Sequence, residues 1–449
     1  MQNLGHVFKY LIGSLQRLRW SRDGIAEFQD KQLRSIITNA FENVPFYRRL
    51  FASKGIYPSD IQGVRDLHKI PIINKGIMRK CPVKDLVSKN YDLTRLKTIS
   101  TGGSTGQPFT VYISQKEDAW RKAIYLRANI ACGQKPRDTW VAIIDPQYSS
   151  GINRPQKFLG LYYRDIVPVT LPKTVQYQTI GKINPDILDG FPNSLSLLAR
   201  EKQKRDDKKI RPRLIFGSGE LVSKDSIDYI EKTFSAPYLD QFGCTEIDRS
   251  AWQCIKRQGY HLDCDSVVTQ FVDVDGNEVS SNETGEIVYT SLFNYAFPII
   301  RYNVEDVGIR TEDECSCGVN LPIVKVVEGR SNSFLVFPDN NIVSPMRFIE
   351  VLGAFKLEKE IDQYQIVQKT RTEIHIYIKK TSVEVDEEAI VNLLKNNINR
   401  GFHDFASSLN QINFETIFVE DMARTARGKF NVVVNNVNIN NGKQILQSL

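Results

Sequence analysis

The sequence predicts a protein of mixed α/β structure with more than one domain. At 449 residues, the chain exceeds the size at which one hydrophobic core usually stops growing. Its composition, 41% hydrophobic and 25% charged, is typical of a globular protein with a large core. Strand-like and helical segments alternate along the chain, and its last part carries a strand, a helix and a strand. This order predicts a large region of mixed structure followed by a small α+β domain.

The first segment has the spacing of an amphipathic helix. The apolar residues Phe8, Leu11, Ile12, Leu15 and Leu18 recur at helical spacing, with basic residues between them. No stretch of the chain approaches the roughly 20 apolar residues of a membrane-spanning helix. We expect this helix to pack on its own domain, and the alternative is a helix that contacts a membrane surface peripherally.

The net charge and the number of cysteines argue against two classes of protein. The net charge of +7 is modest, and no basic stripe interleaved with aromatic residues is present, which argues against nucleic-acid binding. The seven cysteines are odd in number and too few for a disulfide scaffold. This usage predicts a reducing, cytoplasmic location.

Four segments in the middle of the chain have clear patterns. An apolar run at 140–144 predicts a strand, and residues 149–160, rich in Ser, Gly and Asn, predict a loop. Residues 226–234 have helical periodicity. Residues 267–301 alternate around glycine turns, which predicts paired strands.

The last part of the chain has a different pattern. Ile374, Ile376 and Ile378 alternate with polar residues, as in a strand with one buried face. A helix is predicted over 387–399 and a further strand over 414–419. Together they predict one small sheet with a helix against it.

A glycine-rich loop is the strongest local signal. The segment Ser100-Thr101-Gly102-Gly103-Ser104-Thr105-Gly106-Gln107-Pro108 lies between strand-like residues 96–99 and 110–113. Glycines let a backbone approach an anion, and hydroxyl groups donate to phosphate oxygens. The segment lacks the Gly-Lys-Ser ending of the helix-opening P-loop. It therefore predicts either a phosphate-binding loop or a flexible surface loop.

This loop resembles the phosphate loop of the adenylate-forming superfamily, and further segments match that superfamily in the same order. They are Gly217-Ser218-Gly219-Glu220 (the adenine segment), Gln241-Phe242-Gly243-Cys244-Thr245-Glu246 (the aromatic-Gly-x-Thr-Glu motif), Thr284-Gly285-Glu286 with 298–306 (the ribose segment), Gly329-Arg330 (the hinge) and Gly428-Lys429 (the lysine motif). The resemblance covers nearly the whole chain.

Three earlier segments resemble one branch of the superfamily, the phenylacetate–CoA ligases and coenzyme F390 synthetases, including the CapK-like proteins of surface-polysaccharide clusters. These segments are 44–48, 70–75 and 185–192. The resemblance implies an adenylate-forming fold. A large N-terminal AMP-binding domain of α/β layers and a distorted barrel would cover residues 1–329, and a small α+β lid would cover residues 330–449.

The resemblance implies an ATP-dependent ligase that activates a carboxylate as an acyl-AMP and releases pyrophosphate. Both reactants are anionic, so the enzyme must neutralise and position charge. By resemblance, Ser104, Thr105 and Gly106 hold the β- and γ-phosphates. Thr245 contacts the α-phosphate and Glu246 holds Mg²⁺, because a carboxylate beside phosphates needs a cation between them.

The resemblance also assigns residues to the nucleoside and to catalysis. Lys429 reaches the α-phosphate and the carboxylate oxygens, and Asp306 accepts hydrogen bonds from the ribose hydroxyls. The other assigned residues surround the adenosine: Gly217, Ser218, Gly219 and Glu220 along the adenine, Phe242 stacked on it beside Gly243, and Arg330 at the hinge near the ribose.

A cysteine–histidine set suggests a metal. Cys254, His261, Cys315 and Cys317 provide three thiolates and one imidazole, a closed tetrahedral zinc set. Some relatives in this branch look similar here and carry a structural zinc, and Cys264 is a fifth candidate. The alternative is a group of buried, reduced cysteines with a hydrogen-bonded histidine.

The acceptor of the acyl group stays open. The branch implies CoA, giving an acid–thiol ligase. The alternatives are acyl or adenylyl transfer to an amine or hydroxyl, as in surface-polysaccharide biosynthesis, and a non-catalytic nucleotide-binding protein. Two departures from the family pattern concern the hinge and the acceptor: Ser331-Asn332 replaces the usual aspartate after the hinge, and Gln270 replaces a frequent glutamate. Neither the carboxylate nor the oligomeric state is predicted.

Overall fold

A computed structural model describes residues 2–101, 109–146, 154–205, 209–330, 333–353, 360–382, 384–425 and 428–437. Its helices are α1 (Gln2–Arg17), α2 (Arg22–Asn43), α3 (Pro45–Ser53), α4 (Lys75–Arg79), α5 (Val83–Leu86), α6 (Gln115–Ala131), α7 (Arg154–Leu159), α8 (Lys173–Ile183), α9 (Pro192–Lys204), α10 (Lys224–Phe234), α11 (Pro345–Leu352), α12 (Glu387–Gly401) and α13 (Ala406–Leu409).

The strands are β1 (Ile73–Asn74), β2 (Lys97–Ser100), β3 (Thr110–Ile113), β4 (Trp140–Ile144), β5 (Arg164–Pro168), β6 (Ile187–Gly190), β7 (Leu214–Ser218), β8 (Tyr238–Cys244), β9 (Asp248–Gln253), β10 (Tyr260–Leu262), β11 (Val267–Val272), β12 (Thr284–Ser291), β13 (Tyr302–Arg310), β14 (Ile323–Arg330), β15 (Leu335–Val336), β16 (Ile342–Val343), β17 (Ile361–Thr370), β18 (Glu373–Lys380), β19 (Asn413–Val419) and β20 (Val433–Asn435). Short 3-10 turns form at Pro58–Asp60, Val64–Lys69, Leu93–Arg95 and His403–Phe405.

The chain divides into two compact units. The first comprises Met1–Gln134 and Leu239–Val327, and the second comprises Lys135–Tyr238 and Glu328–Leu449. The second unit thus combines the last part of the chain with residues 135–238. The boundary predicted between residues 329 and 330 stays a prediction.

The first unit is built on a largely antiparallel sheet. Its strands follow the order β11-β12-β13-β14-β10-β9-β8, and β1 joins β13 in parallel. The pairing of β11 with β12 confirms the paired strands predicted after residue 267. Residues 292–301 form no strand, which corrects the end of that prediction. Pro298 lies there, and proline has no amide hydrogen to donate to a sheet.

Helix α1 packs on α6 in the first unit. Leu11 and Leu18 are buried, and Tyr10 contacts Trp120 edge to face with ring centroids 5.2 Å apart. The opposite face leaves Phe8 at 51% and Ile12 at 57% exposure. The helical spacing therefore predicted the helix correctly, but only part of its apolar surface lies against the core.

A buried network of charged side chains lies beneath α1 and α6. Arg127 donates to Asp265 at 2.7 Å and to Asp263 at 2.5 Å, and all three side chains are inaccessible to solvent. Arg17 donates to Asp265 at 2.6 Å, and Arg249 donates to Asp263 at 3.0 Å. Burial by itself would raise the pKa of Asp265. The positive charges of Arg127 and Arg17 have the larger combined effect, so the pKa lies below its usual value. Two carboxylates and three guanidinium groups thus hold the helices to the loop after β10.

The first part of the second unit has a parallel sheet. Strands β7, β6, β4 and β5 are neighbours in that order, with helices α8, α9 and α10 around a common apolar core. The strand predicted at 140–144 and the helix predicted at 226–234 are confirmed as β4 and α10. Of the loop predicted at 149–160, residues 149–153 lie outside the described residues, and the prediction is wrong for Arg154–Leu159, which form α7. Proline is tolerated in the first turn of a helix, so Pro155 does not prevent it.

The last part of the chain forms a four-stranded sheet in the order β19-β18-β17-β20. Ile374, Ile376 and Ile378 are buried against the inner face of α12, as their alternation predicted. Strand β18 runs antiparallel to β17 and parallel to β19, and α12 makes the connection between the parallel pair. The predicted strand, helix and strand are therefore all present in one α+β sheet.

Across the described ranges of the chain, every helix is too short or too polar to cross a lipid bilayer.

Candidate active site

The glycine-rich loop is bounded by a hairpin. Strands β2 and β3 pair antiparallel, and beyond them the Thr101 amide donates to the Phe109 carbonyl at 2.7 Å. The Phe109 amide in turn donates to the Thr101 hydroxyl at 2.9 Å. The predicted phosphate-binding residues Ser104, Thr105 and Gly106 lie outside the described residues, so their role stays a prediction.

Glu246 is a buried carboxylate at the end of the aromatic-Gly-x-Thr-Glu motif. It follows β8 in a turn and is 3% exposed. Its Oε1 accepts a hydrogen bond from the Tyr302 hydroxyl at 2.9 Å and lies 3.3 Å from Nζ of Lys75. A carboxylate held in one orientation beside a cation is suited to bind a further cation or to orient a polar group.

The backbone of this motif is fixed from α6. Arg121 donates to the Glu246 carbonyl at 2.8 Å and to the Thr245 carbonyl at 3.3 Å. Asn294 donates to the same Glu246 carbonyl at 3.3 Å. Arg121 is paired in turn with Glu117 at 3.2 Å, whose pKa burial raises to about 8 although Arg121 lowers it. The turn that carries Thr245 and Glu246 is therefore held by buried side chains on both sides.

Asp306 lies close to the same motif. It is on β13 and is 7% exposed. The Cys244 thiol has a pKa well above its usual value, first because of burial, and further because the carboxylates of Glu246 and Asp306 are near. Phe242 and Gly243, also on β8, precede Cys244. The first unit therefore brings together Phe242, Gly243, Thr245, Glu246 and Asp306, five of the predicted site residues.

The second unit brings together the adenine segment and the lysine motif. Gly217 and Ser218 end β7, and Gly219 follows with a φ of 82°. A side chain at Gly217 would overlap the Tyr238 hydroxyl, so only glycine fits there. The next residue, Glu220, accepts a hydrogen bond from the amide of Phe430, which adjoins Lys429. Two segments far apart in sequence thus meet in one place.

Arg330, predicted near the ribose, ends strand β14. Its side chain lies outside the described residues, and so do Ser331 and Asn332 of the hinge. The role of Arg330 stays a prediction.

The four predicted zinc ligands form one cluster. The ligand atoms of Cys254, His261, Cys315 and Cys317 all lie within 4.8 Å of one another. The sulfur atoms of Cys254 and Cys315 are 3.5 Å apart, and Nε2 of His261 is 3.3 Å from the sulfur of Cys317. Burial lowers the pKa of His261, which favours the neutral imidazole that a metal needs. The fifth candidate, Cys264, lies outside this cluster.

Three residues that contribute to this site were not predicted from the sequence. Lys75 lies in the 70–75 segment, which was interpreted only as a mark of the branch. Tyr302 lies inside the ribose segment without an assigned role, and Arg121 is one basic residue among several on α6. Sequence spacing gave no signal for any of them, because each reaches Glu246 through tertiary packing.

Comparison with known proteins supports the predicted relationship. No protein-family model matches the chain. A phenylacetate–coenzyme A ligase of Pseudomonas putida is 27% identical over 387 residues, which cover 82% of this chain and 85% of the relative. A phenylacetate–coenzyme A ligase of Thermus thermophilus is 25% identical, with 82% of each chain covered. The predicted resemblance is confirmed.

The fold has a clear counterpart among solved structures. A 2-hydroxyisobutyryl-CoA ligase, crystallised in the postadenylation state with an acyl-AMP, superposes with a TM-score of 0.75. The match covers 97% of this chain and 94% of that protein at 19% identity. The adenylate-forming fold predicted from the ordered motifs is therefore confirmed.

Proposed function

We propose that this chain is an ATP-dependent, AMP-forming ligase that activates a carboxylate as an acyl-adenylate and transfers the acyl group to the thiol of CoA. The observation that carries the proposal is Glu246, a buried carboxylate of the Thr-Glu motif held by Tyr302 and Lys75. The similarity to phenylacetate–CoA ligases supports the acid–thiol ligase class predicted from the motifs.

Two displacements make up this reaction. In the first, a carboxylate oxygen of the acid attacks the α-phosphorus of ATP, and pyrophosphate leaves with the electrons of the broken P–O bond. In the second, the CoA sulfur attacks the acyl carbon, its proton is lost to solvent, and AMP leaves. Because charge builds up on phosphate oxygens in the first step, the site must supply fixed donors and cations.

The residue roles remain those that the resemblance implies. Ser104, Thr105 and Gly106 would donate to the β- and γ-phosphates, and Thr245 would donate to the α-phosphate. Lys429 would neutralise charge at the α-phosphate and the attacking carboxylate. The nucleoside contacts are those assigned from the sequence: Gly217, Ser218, Gly219 and Glu220 beside the adenine, Phe242 and Gly243 against its ring, and Asp306 and Arg330 at the ribose.

Magnesium fits the donor set at Glu246. Mg²⁺ prefers carboxylate oxygens and substrate phosphates, and Glu246 offers a fixed, buried carboxylate. A bound magnesium ion supplies neutralisation of the phosphate charge. Tyr302 restricts the rotation of the carboxylate, and Lys75 provides a second positive charge at the same oxygen. These two residues therefore orient Glu246 toward its ligand.

The Cys254–His261–Cys315–Cys317 cluster would hold a structural zinc ion. Tetrahedral zinc, with Zn–S of about 2.3 Å and Zn–N of about 2.0 Å, places its ligand atoms roughly 3.5 Å apart. The contacts of 3.3 and 3.5 Å within the cluster suit that geometry. Four protein ligands leave no open position, so the ion would tie β10 to the segment before β14 and take no part in the reaction.

If this cluster holds zinc, the purified protein should contain the metal and should lose stability when the metal is removed. We expect about one zinc ion per purified chain, and a lower melting temperature after removal by a chelator, because the metal crosslinks two segments. Elemental analysis and thermal denaturation measure both. Cys315→Ser should lose the metal, whereas Cys81→Ser, outside the cluster, should keep it. A metal-free protein with unchanged folding would rule zinc out.

Acceptors of the acyl group other than CoA are alternatives to this proposal. Acyl or adenylyl transfer to an amine or hydroxyl is favoured by the resemblance to F390 synthetases and CapK-like proteins, and it would place the chain in surface-polysaccharide biosynthesis. A non-catalytic nucleotide-binding protein is the third reading, and the retained Thr245, Glu246, Asp306 and Lys429 argue against it. We propose a cytoplasmic location, with any membrane contact limited to the exposed face of α1.

A pyrophosphate-exchange assay tests the function. ATP is incubated with labelled pyrophosphate and a panel of acids that includes phenylacetate, benzoate, anthranilate and 2-hydroxyisobutyrate. We expect exchange with at least one acid, and AMP release that rises on addition of CoA. Exchange without a CoA effect would favour an amine or hydroxyl acceptor. If the protein still binds ATP but no acid supports exchange, the result would favour a non-catalytic nucleotide-binding protein.

A further inference from the structure

We infer that Glu220 is a positioning residue that holds the Lys429 loop, whose described residues are 424–425 and 428–430, in place for acyl-adenylate formation. The inference rests on the proposed function. The family resemblance assigns Glu220 to the adenine, but its carboxylate is engaged elsewhere. Oε1 accepts a hydrogen bond from the Phe430 amide at 2.6 Å, and Oε2 accepts one from the Asn193 amide at 3.1 Å. Both oxygens therefore accept hydrogen bonds from backbone amides. One of these amides belongs to Phe430, the residue after the predicted catalytic lysine.

The Lys429 loop has a defined conformation of its own. The Thr425 amide donates to the Lys429 carbonyl at 2.9 Å, and the Lys429 amide donates to the Thr425 hydroxyl at 3.1 Å. Gly428 has a φ of 74°, and a side chain there would overlap Val169. Arg424 donates to the Gly428 carbonyl at 3.0 Å. Because Phe430 follows Lys429 directly and these hydrogen bonds tie Lys429 to Thr425, fixing the Phe430 amide also restrains the backbone of Lys429.

The charges around Glu220 agree with this role. Burial raises the pKa of Glu220, while the amides of Phe430 and Asn193 and the cations Lys429 and Arg424 oppose that shift. Each oxygen of the Glu220 carboxylate accepts one backbone amide, so both oxygens are held by the protein. Its negative charge interacts with the positive charge of Lys429, the side chain proposed to meet phosphate.

Other contacts hold the last part of the chain to residues 135–238 independently of Glu220. Lys173 pairs with Asp362 at 2.8 Å. Arg200 donates to the Ile361 carbonyl. These contacts lie on β17 and not on the Lys429 loop. Loss of the Glu220 carboxylate should therefore misplace the lysine without detaching the sheet that carries it.

The test separates the two half-reactions in Glu220→Gln. Glutamine has the same shape, but its amide nitrogen cannot accept, so one of the two backbone amides loses its partner. We expect acyl-adenylate formation to slow about tenfold, with little change in the KM for ATP. Acyl transfer to CoA from supplied acyl-AMP should stay at the wild-type rate. Glu220→Ala should slow adenylation further in the same direction.

Glu231→Gln is the matched control. Glu231 also uses a carboxylate oxygen to accept a backbone amide, that of Tyr238 at 2.6 Å, but it lies outside the Lys429 loop. Its variant should keep the wild-type rates of both half-reactions. Melting temperatures of all variants show whether they are folded at the assay temperature.

The assays give different results for a positioning role, for an adenine contact and for a failure of the proposed function. An adenine contact at Glu220 would instead raise the KM for ATP and weaken use of acyl-AMP, slowing both half-reactions together, which would overturn the inference. Wild-type adenylation in both Glu220 variants would overturn it as well. Failure of the proposed function shows differently, because the wild-type protein itself would then lack pyrophosphate exchange.

Discussion

Replacement of Lys429 with alanine is expected to slow acyl-adenylate formation by about two to three orders of magnitude, the usual cost of losing one preorganised charged donor. The lysine side chain would meet charge that builds up only while the acid attacks the α-phosphorus. Acyl transfer from supplied acyl-AMP needs no such neutralisation and should be far less affected. Single-turnover assays of the two half-reactions measure this difference.

Lys379→Ala provides a matched comparison for Lys429→Ala. Lys379 belongs to the same part of the chain and pairs with Asp421 on the surface at 2.7 Å. A surface pair contributes at most about 1 kcal/mol, so its loss should leave both half-reactions unchanged. An equal loss of both half-reactions in Lys429→Ala would contradict the assigned role, because a general folding defect would explain it.

Replacement of Asp265 with asparagine is expected to lower the free energy of unfolding of the first unit by about 3–5 kcal/mol, the usual effect of breaking a buried ion pair. Asp265 accepts from both Arg17 and Arg127 inside the protein. Without it, Arg17 loses its pair with Asp265, and Arg127 keeps its pair with Asp263. Urea denaturation followed by the fluorescence of Trp252, which donates to Asp263, measures the change.

The effect of Asp265→Asn should depend on pH. The pKa of Asp265 is lowered in the folded state from 3.8, so its stabilisation is present above that value and is lost as pH falls through the folded pKa. The difference between the variant and the wild type should therefore be full at neutral pH and shrink in strong acid. Asp66→Asn, which removes an exposed pair with Lys69, should cost less than about 1 kcal/mol. A similar small cost at Asp265 would contradict the prediction.

The elements that the sequence predicted are those in which local pattern and burial agree. Ile374, Ile376 and Ile378 alternate, and all three are buried on one face of β18. The periodicity of α10 agrees with its buried face in the same way. In α1 the agreement is incomplete, because Phe8 and Ile12 fit the apolar spacing but are exposed. Spacing shows that a helix is amphipathic, but not how much of its surface a neighbour covers.

The candidate site was predictable where the chain carries ordered motifs. The carboxylates of Glu246 and Asp306 both lie near Cys244 in the first unit, and the four residues predicted as zinc ligands form one cluster, while their roles stay predictions. The supporting residues were not predictable. Lys75 and Arg121 reach the Thr-Glu turn from distant parts of the chain, and Glu220 binds an amide 210 residues away in sequence. Such contacts follow from tertiary packing, which no local pattern encodes.

The anchoring of α1 bears on how the protein can be handled in the laboratory. Arg17, at the end of this helix, places its guanidinium group on Asp265 in the interior, and Leu11 fills the space above α6. The helix is therefore a structural part of the first unit. Trimming the first 17 residues to aid crystallisation would remove one of the two guanidinium partners of Asp265 and uncover apolar surface, and such a product should aggregate.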